Sequence, residues 1–594
     1  MRRHVLPLLV VLATLVSSAH AAAPVHLAAE PFPLTQVRLL DGPFRDAMLR
    51  NERYLLSLEP DRMLHNFRVN AGLPAPGEPY GGWEGPHSEV RGHTVGHYIS
   101  ACALTYASTG DERFKERVNV MVAAFAQCQA ALASQVSHPG YLSAFPESFI
   151  DRVETGKPVW APWYTIHKIM AGLLDAAQLC GNPQALPMAV QMADWVNSRV
   201  SHLSVAQMQA SLGTEFGGMN EVLANLYAIT GNPEHLRLAE AFNHRKIFDP
   251  LERGEDHLDG IHANTQIPKI IGAARQYELT GDPNDRRLAD FFWQEVALHR
   301  SYVIGGDSDE EHFFPVQDFA RHLTAQTCET CNTYNMLKLT RHIFEWEPEA
   351  RVMDFYERAL YNHILASQDD NGMFAYFLSL KPGHFKTFST PENSFWCCVG
   401  TGMENHAKYG DTIYFHSDNA LYVNLFIPSE LSWPEKHLHL RQETQFPDSD
   451  VTRLSFEATP PTSFDLKIRW PSWSDTLSIR INGKNQKISG APSSYVTLHR
   501  RWREGDSVAI QLAQKLRTES LPGDTNLVAT LRGPIVLASI LGTNGVPHQE
   551  TPDQLDLVKI SDPPLSPEAN APLVPLYKIK QERYVVYRDN SGPK

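Results

Sequence analysis

The chain is 594 residues long, room for several domains, and carries a formal net charge of −14, with 67 acidic against 53 basic residues. That balance argues against nucleic acid and against an anionic membrane surface as partners. Cysteines number seven, so an all-disulfide scheme is excluded and at least one thiol is free or metal-bound.

Residues 1–21 read as a secretory signal: Arg2 and Arg3, an apolar run from Val5 to Val16, then small residues ending at Ala21. The run is too short to span a bilayer, and no later stretch reaches about 18 apolar residues. An exported protein, periplasmic or extracellular, is expected.

A repeated turn organises residues 30–415. Tyr106-x-x-Thr109-Gly110-Asp111, Leu179-Cys180-Gly181-Asn182-Pro183, Tyr227-x-x-Thr230-Gly231-Asn232-Pro233 and Tyr277-x-x-Thr280-Gly281-Asp282-Pro283 each sit between apolar-periodic runs. Glycine ends one helix in a left-handed cap, and Asp or Asn, usually with Pro, starts the next. Trp346-Glu347-Pro348 continues the series without its glycine, and an earlier hairpin is expected around Leu55 to Arg62. Helical hairpins in series predict a solenoid or a closed ring, and about six of them favour an (α/α)6 toroid. Cys102, Cys128 and Cys180 fall singly in these runs and read as buried core thiols.

Polar and aromatic clusters keep one phase in this repeat. His93 and His97, Trp163, Tyr164 and His167, Asn220 and Glu221, His262 and Asn264, and Cys331 all lie toward the start of a helix that the turn later closes. They are expected to converge at the end of the ring opposite the turns. Any one of these histidines is as readily a cap or loop residue as a ligand; the shared phase is what favours a site. The stretch from Trp160 to His167 combines aromatic faces with polar tips, which suits stacking on sugar rings.

After about residue 415 the period becomes two. Leu421–Ile427, Phe464–Trp470, Leu477–Ile481 and Val508–Leu512 read as strands, with Asn482-Gly483 as a hairpin turn. Residues 416–545 are therefore expected to form a β-sandwich. A tail from 546 to 594, rich in Pro and Asp, ends in a run, Arg583–Tyr587, that predicts a strand returning to the sandwich.

Two cysteine groups carry the strongest chemistry, Cys328-Glu329-Thr330-Cys331 and Cys397-Cys398. Adjacent cysteines are poor disulfide partners, because a trans peptide holds their Cα atoms about 3.8 Å apart, below the usual range of roughly 4.4–6.8 Å. Two sulfur pairs with a carboxylate read as a zinc site. One tetrahedral ion takes either Cys328, Cys331, Cys397 and Cys398, or Glu329 with the last three; spacing slightly favours the first, since Cys-x-x-Cys is a common zinc knuckle. A Cys328–Cys331 disulfide and four unligated thiols are the plain alternatives. The loop from Gly305 to Pro315 holds Glu310, Glu311 and His312 beside two phenylalanines. A carboxyl there could have the raised pKa of a general acid, though the loop alone also reads as a solvated acidic turn.

The run Glu329 to Arg341, the Cys397-Cys398 pair, Gly217-Gly-Met-Asn-Glu221 and His262-Ala-Asn-Thr-Gln-Ile-Pro-Lys269 together resemble the bacterial β-L-arabinofuranosidases of glycoside hydrolase families 127 and 146. The resemblance extends from about Val37 through the sandwich. It implies zinc held by Glu329, Cys331, Cys397 and Cys398, which displaces the spacing preference for Cys328. It further implies Cys397 as nucleophile and Glu311 as acid/base, with Glu310 as the adjacent alternative. Glu357, His167 and His262 correspond to residues that hold the sugar, and the other polar and aromatic members of the shared phase join them as candidate substrate contacts. Met219 stands where some relatives carry His. The implied activity is exo-acting, retaining release of β-linked L-arabinofuranose from plant glycans or glycopeptides. The alternatives are an exo-glycosidase for another rare pectic sugar and a non-catalytic carbohydrate-binding protein with structural zinc.

Overall fold

In the computed structural model, residues 24–546 and 571–590 are described. The expected signal segment lies outside them, as does the first part of the tail. No helix among the described residues is long and apolar enough to cross a membrane.

A helical region precedes a region of β-sheet. The predicted turns form as their residues dictate. Gly110, Gly181, Gly231 and Gly281 each cap a helix in the left-handed region, where a side chain would be strained. Asp111, Asn232 and Asp282 then accept a hydrogen bond from the backbone two residues on, starting the next helix.

Six helices begin at the polar clusters: His93–Thr109, Pro162–Cys180, Met219–Thr230, Ile267–Thr280, Thr330–Trp346 and Cys397–Asn405. Each packs on the next in chain order, and the last packs back against the first. Outer helices such as Glu112–Leu132, Ala185–Val200 and Pro283–Gln294 alternate with them. The inner contacts are close. A Cβ on Gly96 would sit 2.2 Å from the Lys168 carbonyl oxygen, and one on Gly400 would sit 2.3 Å from the His97 ring. Cys102, Cys128 and Cys180 are buried free thiols in this packing, as expected.

Among the described residues, the β region holds three sheets. A five-stranded sheet runs Glu30–Pro31, Tyr414–Ser417, Ala420–Val423, Thr462–Trp470, Ser494–Trp502, with one parallel pairing between the third and fourth. A seven-stranded sheet takes in Val451–Ala458 and Ser507–Leu512 and ends on Val37–Leu39. Trp502 of the first stacks on Phe456 of the second, with centroids 4.3 Å apart. The first described strands, at residues 30–31 and 37–39, thus belong to these sheets and not to the helices. Asn482 and Gly483 both adopt positive φ, as a two-residue hairpin requires. Tyr584–Val585 and Tyr587–Asp589 do return as strands, but to a third sheet built on Asp524–Arg532 and Ile535–Ile540.

Buried polar clamps join the regions. Arg469, fully buried, donates to Glu357 at 2.5 Å, to Asp354 at 2.6 Å and to the Asn424 carbonyl at 2.6 Å. Lys386 donates to the carbonyls of Ala366, Leu576 and Ile579, which ties the C-terminal segment down.

Candidate active site and metal centre

Two helix N-termini meet at the cysteines. Glu329 is the residue before Thr330–Trp346, and Cys331 lies in that helix's first turn. Cys397 and Cys398 open Cys397–Asn405. A regular helix would point Glu329 and Cys331 to different faces; the loop-to-helix junction lets both face the pair from the other helix. Cys398 Sγ lies 3.2 Å from Cys331 Sγ and 3.9 Å from Glu329 Oε1, while Cys397 Sγ lies 3.7 Å from Glu329 Oε1 and 4.0 Å from Cys398 Sγ. All four ligand atoms fall within 4.8 Å of one another.

These spacings fit a tetrahedral zinc, whose sulfurs at about 2.3 Å would be roughly 3.8 Å apart. Glu329 Oε2 is buried and has no hydrogen-bond partner, an atom awaiting a cation. Burial pushes the Glu329 carboxyl and the Cys397 and Cys398 thiols well up, so the group disfavours ionisation without positive charge nearby. Burial also acts to raise Cys331, but hydrogen bonds from Cys397 and Cys398 outweigh it and hold that thiol at about 7. Cys328 is buried in left-handed backbone beside Gly306 and outside the group, so the all-cysteine set is not assembled, and no disulfide forms. A second group, Glu278, His342 and Glu345, already has protein partners: Glu278 takes His342 at 2.6 Å, Arg275 at 2.8 Å and Trp346 at 3.1 Å.

Beside the cluster, one hydroxyl links two of the expected residues. Tyr376 Oη lies 3.6 Å from Cys397 Sγ and donates to Glu311 Oε1. Glu311 Oε2 is 3.4 Å from His262 Nε2. Ser308, Glu310 and Glu311 all hold positive φ, strain of order 1–3 kcal/mol each that turns Glu311 inward and leaves Glu310 exposed. The loop differs from expectation in its electrostatics. Burial acts to raise Glu311, yet hydrogen bonds from His262 and Tyr376 outweigh it and lower its pKa. Burial conversely opposes charge on His262, and Glu311 and Glu215 more than compensate, raising it. The two shifts together favour the pair's proton on His262.

The other expected contacts divide. Gly218 N–H donates to His167 Nδ1 at 3.1 Å, leaving Nε2 to carry the ring's proton. The Tyr164 hydroxyl is 3.2 Å from His97 Nε2, and its ionisation is opposed first by burial and then by Cys397 and Cys331 nearby. His97 is fully buried and its Nδ1 reaches Glu404 at 2.5 Å; His93 is fully buried against the Val90 carbonyl at 2.8 Å. Burial holds both neutral, near 4 and 3.

Four residues are not brought to the cluster. Trp163 packs on Trp195 and Phe242 in the core. Asn220 donates to the Lys269 carbonyl at 2.8 Å and abuts Gly272, fixing two helices. Glu221 pairs with Lys338 at 2.7 Å on the wall of a cavity of about 410 Å³ that His167 also lines, with Lys168, Tyr334 and Glu404. Glu357 is spent on Arg469 and Trp473, at 2.5 and 2.7 Å, where helices meet sheets. Tyr376 escaped the sequence reading because its surroundings, from Gln368 to Thr390, form only isolated bridges and have no period to betray a face.

Fold and site together fit a glycoside hydrolase, and the comparisons agree. The model of the β-L-arabinofuranosidase catalytic domain of glycoside hydrolase family 127 matches residues 36–411, and that of the same family's middle domain matches 420–514. The chain belongs to this family. Among solved structures, it is similar to a family 127 β-L-arabinofuranosidase from Geobacillus stearothermophilus T6, with a TM-score of 0.71 and 19% identity over 93% of this chain and 99% of that one. A second family 127 β-arabinofuranosidase gives 0.70 and 19% over 87% and 86%. A structure described as a glycoside hydrolase gives 0.69 and 16% over 94% and 98%. The comparison with curated proteins found no match.

Proposed function

We propose that the protein is an exo-acting, retaining glycoside hydrolase that releases β-linked L-arabinofuranose from plant glycans or glycopeptides. The observation that carries the reading is the line Cys397–Tyr376–Glu311, a nucleophile and an acid/base on either side of one hydroxyl. Retaining enzymes place such a pair about 5–5.5 Å apart. Family membership supports the substrate.

Glu329, Cys331, Cys397 and Cys398 would hold a zinc ion, whose charge would keep these thiols ionised at neutral pH. The Cys397 sulfur attacks the anomeric carbon as Glu311 gives its proton to the departing glycosidic oxygen. His262 Nε2, 3.4 Å from Glu311 Oε2, is the source of that proton. A thioglycoside on Cys397 results. Glu311 then takes a proton from water, whose oxygen attacks the same carbon and releases the sulfur. Two inversions return the original configuration. The family resemblance gives His167 and His262 the task of binding sugar hydroxyls, and the 3.4 Å approach of His262 to Glu311 supports it for that residue.

The cyclic packing of the inner helices supports an (α/α)6 toroid, and the Trp502–Phe456 stack supports a β-sandwich of the first two sheets. Export to the periplasm or beyond rests on the sequence of residues 1–21 and would appear as a mature N-terminus near residue 22. A panel of para-nitrophenyl glycosides tests the activity. Release from the β-L-arabinofuranoside with retained configuration is expected; release only from another pentoside or deoxy-glycoside, or from none, overturns it.

A further inference from the structure

An exposed tryptophan ends an aromatic run that leads outward from the candidate site. Trp160 is 43% exposed, among the few large apolar side chains open to solvent. Single exposed apolar residues are ordinary, but Trp160 continues an aromatic run. Its ring meets Trp83 edge-on with centroids 4.5 Å apart, and Trp83 meets Tyr376 at 6.3 Å. Tyr376 in turn touches both Cys397 and Glu311.

The run is built to stay in place. Trp83 N–H donates to the Ser394 carbonyl at 3.0 Å, and Gly81 N–H to that of Glu392 at 3.0 Å, stitching this turn to the loop that delivers Cys397. Gly82 permits the approach: it holds a positive φ, and a Cβ there would fall 2.3 Å from two carbonyl oxygens. Trp160 N–H donates to Glu89 at 2.8 Å, and Glu89 is held by Arg152 at 2.7 Å. Both charged side chains remain about one-third exposed at the platform's edge. A rigid aromatic face with a charged, half-open rim suits a sugar ring, whose C–H face stacks while its hydroxyls reach the rim.

We infer that Trp160 and Trp83 form a platform for the second sugar of the substrate, the ring on the leaving-group side of the bond that is cut. The inference rests on the arabinofuranosidase reading and adds to it a preference for a glycosyl over a small alkyl leaving group. The platform reaches that ring through stacking and does not enter the chemical step.

The test compares methyl β-L-arabinofuranoside with a disaccharide carrying the same terminal sugar. The ratio of their kcat/KM values, disaccharide over methyl glycoside, should fall by about tenfold in Trp160→Ala, the effect carried by KM, and recover in Trp160→Phe. Trp160 is exposed, so the variant's thermal unfolding should match the parent's. A ratio unchanged in Trp160→Ala, with both substrates hydrolysed, overturns the platform and leaves the activity standing. Wild-type protein that hydrolyses neither substrate overturns both.

Discussion

The hydroxyl of Tyr376 lies 3.6 Å from the sulfur of Cys397 while donating its proton to Glu311. One phenol thus sits between the two groups that the proposed reaction needs, and it stabilises Glu311 as the carboxylate. Tyr376→Phe keeps the ring packing on Trp396 and Phe377 and removes only this bridge. We expect kcat/KM on the aryl arabinofuranoside to fall on the order of 10²-fold, with zinc content unchanged. Losing the hydroxyl also removes one cause of the lowered Glu311 pKa, so the general acid keeps its proton to higher pH and the alkaline limb of the kcat/KM profile should move upward. Steady-state kinetics at several pH values would read both effects, and a variant as active as its parent would make Tyr376 a packing residue.

The cysteine variants separate ligand from bystander. Cys331→Ala and Cys398→Ala should lose the metal, because each removes one of four clustered donors. Cys328→Ala should keep it, since Cys328 faces Gly306 and not the cluster. Elemental analysis of the purified variants gives the answer directly. Loss of zinc from Cys328→Ala, with retention in Glu329→Gln, would restore the all-cysteine set.

Local signals made much of this architecture legible. Gly110, Gly231 and Gly281, followed by Asp or Asn, mark helix ends whatever the rest of the chain does, so the hairpins could be placed from sequence. Side-chain direction could not. Trp160 and Trp163 are three apart in one aromatic segment, yet the helix beginning at Pro162 turns Trp163 onto Trp195 and leaves Trp160 outside it. Choosing Glu329 over Cys328 needed the family resemblance, because the residues differ in backbone geometry: Cys328 sits at φ 58, which swings its thiol away. Tyr376 and the Arg469 clamp depend on contacts between distant segments, which no period reports.

The His262–Glu311 pair sets a pH dependence. The two share one proton, and the general acid needs it. His262 has its pKa raised above its ordinary 6.5, so the proton stays on the pair up to a pH above that value and is lost as pH rises further. Activity should therefore fall on the alkaline side. His262→Gln leaves Glu311 to titrate alone; its pKa rises once the histidine's hydrogen bond is gone, but a lone carboxyl still loses its proton at lower pH than the pair. The alkaline limb of kcat/KM should move to lower pH in this variant. A limb that stays put would assign the titration to another group.

Glu357 distinguishes sugar contact from architecture. The family resemblance gives it the role of holding sugar hydroxyls, but both of its oxygens are occupied: Arg469 donates to one at 2.5 Å and the Trp473 indole to the other at 2.7 Å. Arg469 and Glu357 are both fully buried, on opposite sides of the junction between helices and sheets. Removing one partner of a buried pair costs about 3–5 kcal/mol when the other charge is left with no counter-ion. Glu357→Gln keeps the shape and an oxygen for Trp473 but leaves the Arg469 guanidinium with only Asp354 opposite it. The expected result is a clear drop in denaturant midpoint with KM for the aryl arabinofuranoside held within about twofold. Arg469→Met should show a loss of the same order, although Arg469 lies in the sheet region. A Glu357→Gln variant of normal stability whose KM rises steeply would return Glu357 to the sugar site and make Arg469 its orienting partner.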